Sequence, residues 1–213
     1  PPQGKQSKIP THRFILDSFS GYFHHFFEIT PNEKEISVCF PDWATYGIYI
    51  ILYYLYSQKP ISLSVDNISS LVCIAFSRSI ESIKNELIKF LSTSIPVKNS
   101  LPILSKVLYY IPSNGELEKS LIELSGRGIS LFSKSQFEDL PYHIFIKIID
   151  RASLIQQNEK VANSICDAID NYFQKNIVKL GSHEYSQLIK KFTMKSNHNG
   201  IINLYKTGLI YGW

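Results

Sequence analysis

The run from Tyr46 to Tyr56 constrains the fold of this 213-residue chain more than any other feature. It holds no charged side chain and consists almost entirely of Ile, Leu and Tyr. Because crossing a bilayer takes about 20 apolar residues, the run is too short to span one. It predicts a helix buried on most sides. Since tyrosine hydroxyls need hydrogen-bond partners or water, we expect about half of its tyrosines in a core and the rest on a contact surface. These are Tyr46, Tyr49, Tyr53, Tyr54 and Tyr56.

The residues around this run predict a small unit of helices and one strand. Thr11 is a suitable N-cap for a short helix from Arg13 to Ser18. Glu35 to Phe40 alternates apolar and polar side chains, as in a half-buried strand. Asp66 is the expected cap of a later helix. The clearest amphipathic helix then follows. Its apolar stripe is Ile80, Ile83, Leu87, Ile88 and Leu91.

Beyond Pro96 every periodic segment is helical. We therefore predict an α+β fold that is mostly helical, with a flexible tail over residues 1–10, a mixed domain over 11–95 and an all-α domain over 96–213. The short segment Pro96 to Pro102 predicts a tight connection rather than a loose tether.

Composition and charge exclude several kinds of function. A net charge of +4 is too small to indicate a nucleic-acid partner without a focused patch. The three cysteines are odd in number, far apart and without a Cys-x-x-Cys motif, so we expect neither a disulfide framework nor a zinc site. This favours a reducing compartment, which we expect to be the cytoplasm, with the nucleus as the alternative. The polar segment from Pro1 to Pro10 is not a signal peptide, and we expect no membrane partner.

No set of residues predicts catalysis, and we expect neither an enzyme nor a cofactor or metal. His24 and His25 are adjacent, so on a helix they point about 100° apart and do not share a metal as an i, i+4 pair does. They are interpreted as surface residues, and His12 as a structural histidine. The segment from Gly126 to Gly128 lacks the third glycine of a dinucleotide loop and is interpreted as a helix stop.

The lysines near the C-terminus are open to three interpretations. They form a solvated helical face, a binding site for an acidic protein, or a nucleic-acid site. The first is favoured, because the stretch contains no arginine, the usual ligand of base edges and phosphates. The lysines are Lys175, Lys179, Lys190, Lys191, Lys195 and Lys206.

Several segments, in order, are similar to the BTB (POZ) fold, a small sheet wrapped by helices. His12 to Leu16 resembles the family's His-basic-x-aliphatic-Leu pattern, and Ser20 to Phe23 its Ser-x-Tyr-Phe. Tyr54 to Ser57 resembles its Tyr-x-Tyr-Thr-Gly signature, and Asn67 to Ala75 its Asn-aliphatic-x-x-Leu-Leu-x-Ala-Ala helix. The resemblance places Ile36 to Phe40 in a strand of the sheet. The family's first strand and preceding helix, which build its homodimer, would lie before Lys8 and are missing, which leaves dimerisation open.

The following residues resemble the helical BACK region, best at Phe137 to Pro141. This implies a protein-interaction adaptor, and a substrate adaptor of a cullin-based ubiquitin ligase in particular. The alternative is an assembly protein that pairs with another BTB protein. The turn Pro31-Asn32-Glu33 has the Glu of the family's aliphatic-x-Glu motif but not its aliphatic residue. By resemblance to the cullin-facing side, the protein-binding residues are Asn32, Glu33, Tyr54, Tyr56 and Ser57.

Overall fold

The structure is a computed structural model that describes residues 8–155, 159–176 and Ser186. Most of the predicted N-terminal tail lies outside these residues. So does most of the predicted helix from Ser182 to Phe192. Of the C-terminal lysines, only Lys175 is described. The α-helices in the described residues are α1 (Arg13–Phe19), α2 (Gly21–Ile29), α3 (Thr45–Ser57), α4 (Ile68–Ser77), α5 (Glu81–Thr93), α6 (Val97–Val107), α7 (Glu116–Arg127), α8 (Tyr142–Ile155) and α9 (Glu159–Asn176). Single 3-10 turns lie at Asp42–Ala44, Ile129–Leu131 and Lys134–Phe137.

The chain divides into two compact units. The first holds the residues up to Ile95 together with residues 106–118, and the second holds residues 96–105 and those from Lys119 onward. The predicted domain limits, 11–95 and 96–213, stay a prediction.

Helix α4 is the centre of the first unit. All its residues from Ile68 to Ala75 are buried, which matches its almost continuous apolar sequence. Helix α3 approaches it closely at Gly47, where a Cβ atom would lie 2.8 Å from the Cβ atom of Ser70 and 2.9 Å from its backbone carbonyl carbon. Only glycine fits there without moving the backbone of α4. Helix α5 buries Ile83, Leu87 and Leu91, and Ile80 is buried just before it, whereas Ile88 of the predicted stripe is half-buried.

The residues from Glu35 to Phe40 are not a strand in the structure, although the alternating pattern predicts one. Ile36 and Phe40 are half-buried, but Val38 is 38% exposed, so the three apolar side chains are not all turned toward the protein interior. A β-strand needs a neighbouring strand to pair its backbone groups, and residues 8–155 and 159–176 contain no strand at all. The sheet expected from the BTB resemblance therefore stays a prediction, while the mostly helical character is confirmed.

The second unit departs from the sequence prediction at the segment that follows Pro96. Helix α6 begins at Val97 and continues through Pro102, so the predicted connection from Pro96 is helical after its first residue. The helix continues because one proline removes one backbone hydrogen bond, while Leu101 and Leu104 beside it are fully buried. The segment from Gly126 to Gly128 ends a helix, as predicted, because α7 ends at Arg127 and the Gly128 backbone N–H donates to the Leu124 carbonyl at 3.1 Å. Gly126 itself is still helical. It lies inside α7, where a Cβ atom would come within 2.9 Å of the Arg151 side chain on α8.

An aromatic core holds the second unit together. The rings of Phe145 and Tyr172 stack with centroids 4.0 Å apart, and Phe137 packs edge-on against Phe145 at 6.1 Å. The Tyr172 hydroxyl donates to the backbone carbonyl of Leu140 at 2.8 Å. The segment that resembles the BACK helix start thus contributes two buried side chains, Phe137 and Leu140, immediately before α8.

Candidate protein-interaction surface

His12 and Tyr56 join the start of α1 to the end of α3. The backbone N–H of His12 donates to the Tyr56 hydroxyl at 2.7 Å, and the Nδ1 atom of His12 lies 2.9 Å from the same oxygen. The two rings meet edge to face with centroids 5.7 Å apart. His12 therefore has the structural role expected of it, and Tyr56 is held in place while 45% of it stays exposed.

Arg13 connects the same corner to the end of α2. Its guanidinium lies 4.4 Å from the centre of the Phe27 ring and donates to the carbonyl oxygens of Phe27, at 3.2 Å, and of Pro31. Two hydrogen bonds and a stacked ring make this a well-defined arrangement, because arginine donors are held in a rigid plane. The turn that carries Asn32 and Glu33 is thereby held to the residue next to His12.

The five predicted binding residues therefore lie in two segments, the turn after α2 and the end of α3. His12 and Arg13 hold these two segments together. Asn32 and Glu33 are exposed, and the Glu33 backbone N–H donates to the Thr30 carbonyl at 3.2 Å. Tyr54 and Ser57 are half-buried, and the Ser57 hydroxyl accepts the backbone N–H of Lys59. No described contact joins Glu33 directly to Tyr56. Their role in binding stays a prediction.

Gln58 follows the Tyr54 to Ser57 signature in a left-handed conformation. Its φ is 54°, and its backbone N–H bonds to the Tyr54 carbonyl to close helix α3. The family signature has glycine at this position, and the geometry shows why, since only glycine adopts this conformation without a steric cost.

We expect Gln58→Gly to raise the free energy of unfolding by about 0.5–1 kcal/mol, because it relieves the left-handed strain. The gain is partly offset by loss of the bond from the Gln58 amide to the Leu55 carbonyl, at 2.8 Å. Urea denaturation measures the change, and Gln58→Ala, which loses the same bond but keeps the strain, is the control. If the glycine variant is no more stable than the alanine variant, the left-handed conformation of residue 58 does not lower the free energy of unfolding.

Helix α3 exposes much more of its surface than the sequence predicts. Its buried residues are Gly47, Ile51 and Leu55, on one face. Tyrosines line the opposite face with large exposed fractions, and Tyr54 alone among the five is half-buried. The prediction of a helix buried on most sides is therefore wrong. The mistake arises because a Tyr-rich face has the hydrophobicity of a core and the hydroxyl groups of a surface. The exposed fractions are Tyr46 68%, Tyr49 50%, Tyr53 61% and Tyr56 45%.

Trp43 extends the aromatic surface at the start of α3. It is 37% exposed and packs edge-on against Tyr110 with centroids 6.2 Å apart. The Lys106 ammonium lies 5.9 Å from the Trp43 ring. Sequence reasoning missed Trp43 because it lies just outside the helical repeat, in the 3-10 turn.

Arg78 is the second residue that sequence reasoning missed. Its guanidinium lies between the rings of Tyr22 and Phe40, 4.4 Å and 4.6 Å from their centres, and its Nε atom is buried without a hydrogen-bond partner in the described structure. Cation–π contacts on both sides offset part of the cost of burying it. Arg78 thus holds the residues before Pro41 against helix α2, a contact that no local pattern reveals.

Burial holds two thiols and a tyrosine hydroxyl of the described residues in their protonated forms. Burial raises the pKa of the Cys73 thiol above its ordinary value, and burial together with the neighbouring Cys73 raises the pKa of Tyr110 to about 12. Burial raises the pKa of Cys166 to about 11. These thiols stay protonated at neutral pH, and the thiolate is the nucleophilic form.

In the part of the chain that the structure describes, histidines and carboxylates approach each other at the exposed surface of α1 and α2. His24 lies 3.0 Å from Asp17 and 3.6 Å from Glu28. Its side chain is 59% exposed, which agrees with the interpretation of His24 and His25 as surface residues. No group of three or more metal-ligating side chains in the described residues is arranged to hold an ion. No described helix is long and apolar enough to cross a membrane.

Comparison with known proteins identifies the first part of the chain. Residues 3–95, a little under half of the chain, match the model of the BTB/POZ domain. BTB domains mediate protein–protein interactions, and they are generally not enzymes.

Among similar proteins, BTB/POZ domain-containing protein 6 of Xenopus tropicalis is 30% identical over 105 residues, which cover 49% of this chain and 20% of that protein. BTB/POZ domain-containing protein 3 of Homo sapiens is 26% identical over 157 residues, covering 72% of this chain and 29% of that protein. The matched part of the chain spans less than a third of the length of these relatives.

Proposed function

We propose that this chain is an interaction adaptor of the BTB-BACK type that links a client protein to a cullin scaffold. The observation that carries the proposal is the surface described above, in which His12 and Arg13 hold exposed Asn32 and Glu33 in a fixed relation to Tyr56. Exposed polar side chains on a rigid support are suited to recognition, because little conformational entropy is lost on binding.

The helical region after Ile95 is included in the proposal as a BACK-like domain. The similarity to human BTB/POZ domain-containing protein 3 covers 72% of this chain, more than residues 3–95 supply, so it extends into this region. The Phe137 to Pro141 segment supports the same assignment, since it packs its apolar side chains against α8 and α9. The free thiols of Cys39, Cys73 and Cys166 support a reducing compartment, the cytoplasm or the nucleus.

The proposal predicts that the full chain binds the amino-terminal domain of a cullin in a pull-down with purified proteins. We expect Glu33→Ala to weaken this binding about tenfold, which corresponds to about 1.4 kcal/mol. Glu86→Ala, which removes an exposed carboxylate on α5, is the matched control and is expected to bind like the wild type.

Two outcomes contradict this function. If no cullin is retained at tens of micromolar protein, the chain is not a ligase adaptor. If Glu33→Ala and Glu86→Ala bind equally, the recognition surface lies elsewhere.

A BTB-mediated assembly protein without ligase function is the second candidate. It is favoured by large exposed apolar side chains on α1 and α2, namely Phe14, which is 74% exposed, and Ile29, which is 66% exposed. Ile29 also borders an open groove of about 380 Å³ along α2. Light scattering tests the self-assembling version of this candidate, because a chain that stays monomeric at high concentration does not assemble with itself.

A further inference from the structure

The exposed tyrosines of α3 form one continuous stripe. Tyr46, Tyr49, Tyr53 and Tyr56 are separated by three, four and three residues, a spacing that keeps side chains on the same face of an α-helix. At a rise of 1.5 Å per residue the stripe is about 15 Å long. It lies opposite Gly47, Ile51 and Leu55, which pack against the first unit, so it faces away from the core. This stripe is called the tyrosine face below.

The tyrosine face has an unusual chemistry for a solvent-exposed helix. Helix α3 contains no charged residue, so the face offers aromatic rings and hydroxyls but no ion-pair partner. Among described residues the Tyr56 hydroxyl bonds to His12, whereas those of Tyr46, Tyr49 and Tyr53 form no hydrogen bond within the protein. The face therefore suits a partner that is itself uncharged and presents hydrogen-bond acceptors.

The size of the tyrosine face limits what can occupy it. With about 200 Å² for each tyrosine, the exposed fractions amount to about 450 Å². A stable interface between two proteins buries about 800 Å² on each side. A second copy of this chain would need nearly twice the available area, whereas a short peptide segment would cover the face completely.

We propose that the tyrosine face binds a proline-rich segment of a partner protein in the polyproline II conformation. Such a segment makes no internal hydrogen bonds, so its backbone carbonyls are free to accept from the tyrosine hydroxyls, and its proline rings pack on aromatic side chains. Prolines three residues apart are separated by about 9.3 Å, close to the roughly 10.5 Å between Tyr46 and Tyr53 along the helix axis. The segment engages Tyr46, Tyr49 and Tyr53 and leaves Tyr56, whose hydroxyl is bonded to His12, to the surface proposed for the cullin. The proposal rests on the adaptor function and names the chemistry of the client.

The test measures binding of a fluorescently labelled polyproline peptide about ten residues long to the full chain by fluorescence anisotropy. The comparison peptide has the same length with alternating alanine and glycine. We expect the wild type to bind the polyproline peptide at least about tenfold more tightly than the comparison peptide. We expect the double variant Tyr49→Ala, Tyr53→Ala to lose at least about tenfold of that affinity.

Two control variants separate this surface from others. Tyr109→Ala removes a tyrosine that is 76% exposed but lies outside α3, and it is expected to leave peptide affinity unchanged. Glu33→Ala is also expected to bind the peptide normally, so failure of cullin binding and failure of peptide binding are distinguishable. Far-UV circular dichroism checks that each variant is folded. If the double variant is unfolded, it is replaced by the single variant Tyr49→Phe, which keeps the ring and removes the hydroxyl. This variant is expected to bind the peptide two- to threefold more weakly than the wild type.

Three results overturn the proposal. Equal affinity for the two peptides shows that proline is not recognised. Unchanged affinity in the folded tyrosine variant shows that the peptide binds elsewhere. A dimer of the wild type that becomes a monomer in the same variant shows that a second copy occupies the tyrosine face.

Discussion

Replacing Phe145 with alanine is expected to lower the free energy of unfolding by about 3–5 kcal/mol, the range for a large aromatic side chain removed from a core. Phe145 is fully buried in α8 and lies between two other rings, stacked on Tyr172 at 4.0 Å and edge-on to Phe137 at 6.1 Å. The surrounding rings cannot collapse into the space because the Tyr172 hydroxyl is bonded to the Leu140 carbonyl. Chemical denaturation followed by far-UV circular dichroism measures the change.

The matched control for this variant is Leu154→Ala on the same helix. Leu154 is 62% exposed, so its truncation is expected to change the free energy of unfolding by no more than about 0.5 kcal/mol. If Phe145→Ala behaves like Leu154→Ala, the aromatic cluster is not the core of the second unit.

Replacing Ser20 with alanine is expected to lower the free energy of unfolding by about 2–3 kcal/mol, more than loss of an ordinary helix cap. The Ser20 hydroxyl accepts the backbone N–H of Phe23 at 3.2 Å, which caps α2, and donates to the backbone carbonyl of Arg78 at 2.6 Å. Ser20 is only 2% exposed, so both groups lose their partner where water does not readily replace it.

Ser18→Ala is the control for Ser20, since Ser18 lies at the exposed surface of α1 two residues earlier. It is expected to alter the free energy of unfolding by less than about 0.5 kcal/mol. Ser20→Thr keeps the hydroxyl and is expected to recover part of the loss. Equal stability of the Ser18 and Ser20 alanine variants would contradict the double role of the Ser20 hydroxyl.

The helices of the first unit were largely predictable because their signals are local. The stripe of Ile83, Leu87 and Leu91 repeats at helical spacing, and the structure buries these side chains. The helix before Gly21 was placed nearly correctly, at Arg13–Phe19, although its N-cap is His12 rather than Thr11. Caps depend on the direction in which the chain enters the helix, which a list of residue types does not specify.

The candidate surface was predictable only in part. Resemblance indicated Glu33 and Tyr56, but not the hydrogen bonds that hold both places to His12 and Arg13. Arg78 gave no signal, because its partners Tyr22 and Phe40 are far from it along the chain. The exposure of the tyrosine face could not be predicted either, since the same Tyr-rich helix is compatible with a core and with a surface.

The sequence alone determined that this chain is mostly helical, contains a BTB/POZ-like unit and offers no reactive centre of a recognised pattern, because helix periodicity and short motifs depend on neighbouring residues. Only the tertiary structure decided which face of α3 is covered, why Gly47 and Gly126 are glycines, and that the residues from Glu35 to Phe40 have no strand partner among the described residues. Each of these depends on the distance between segments that are remote in the chain, and that distance is set by packing.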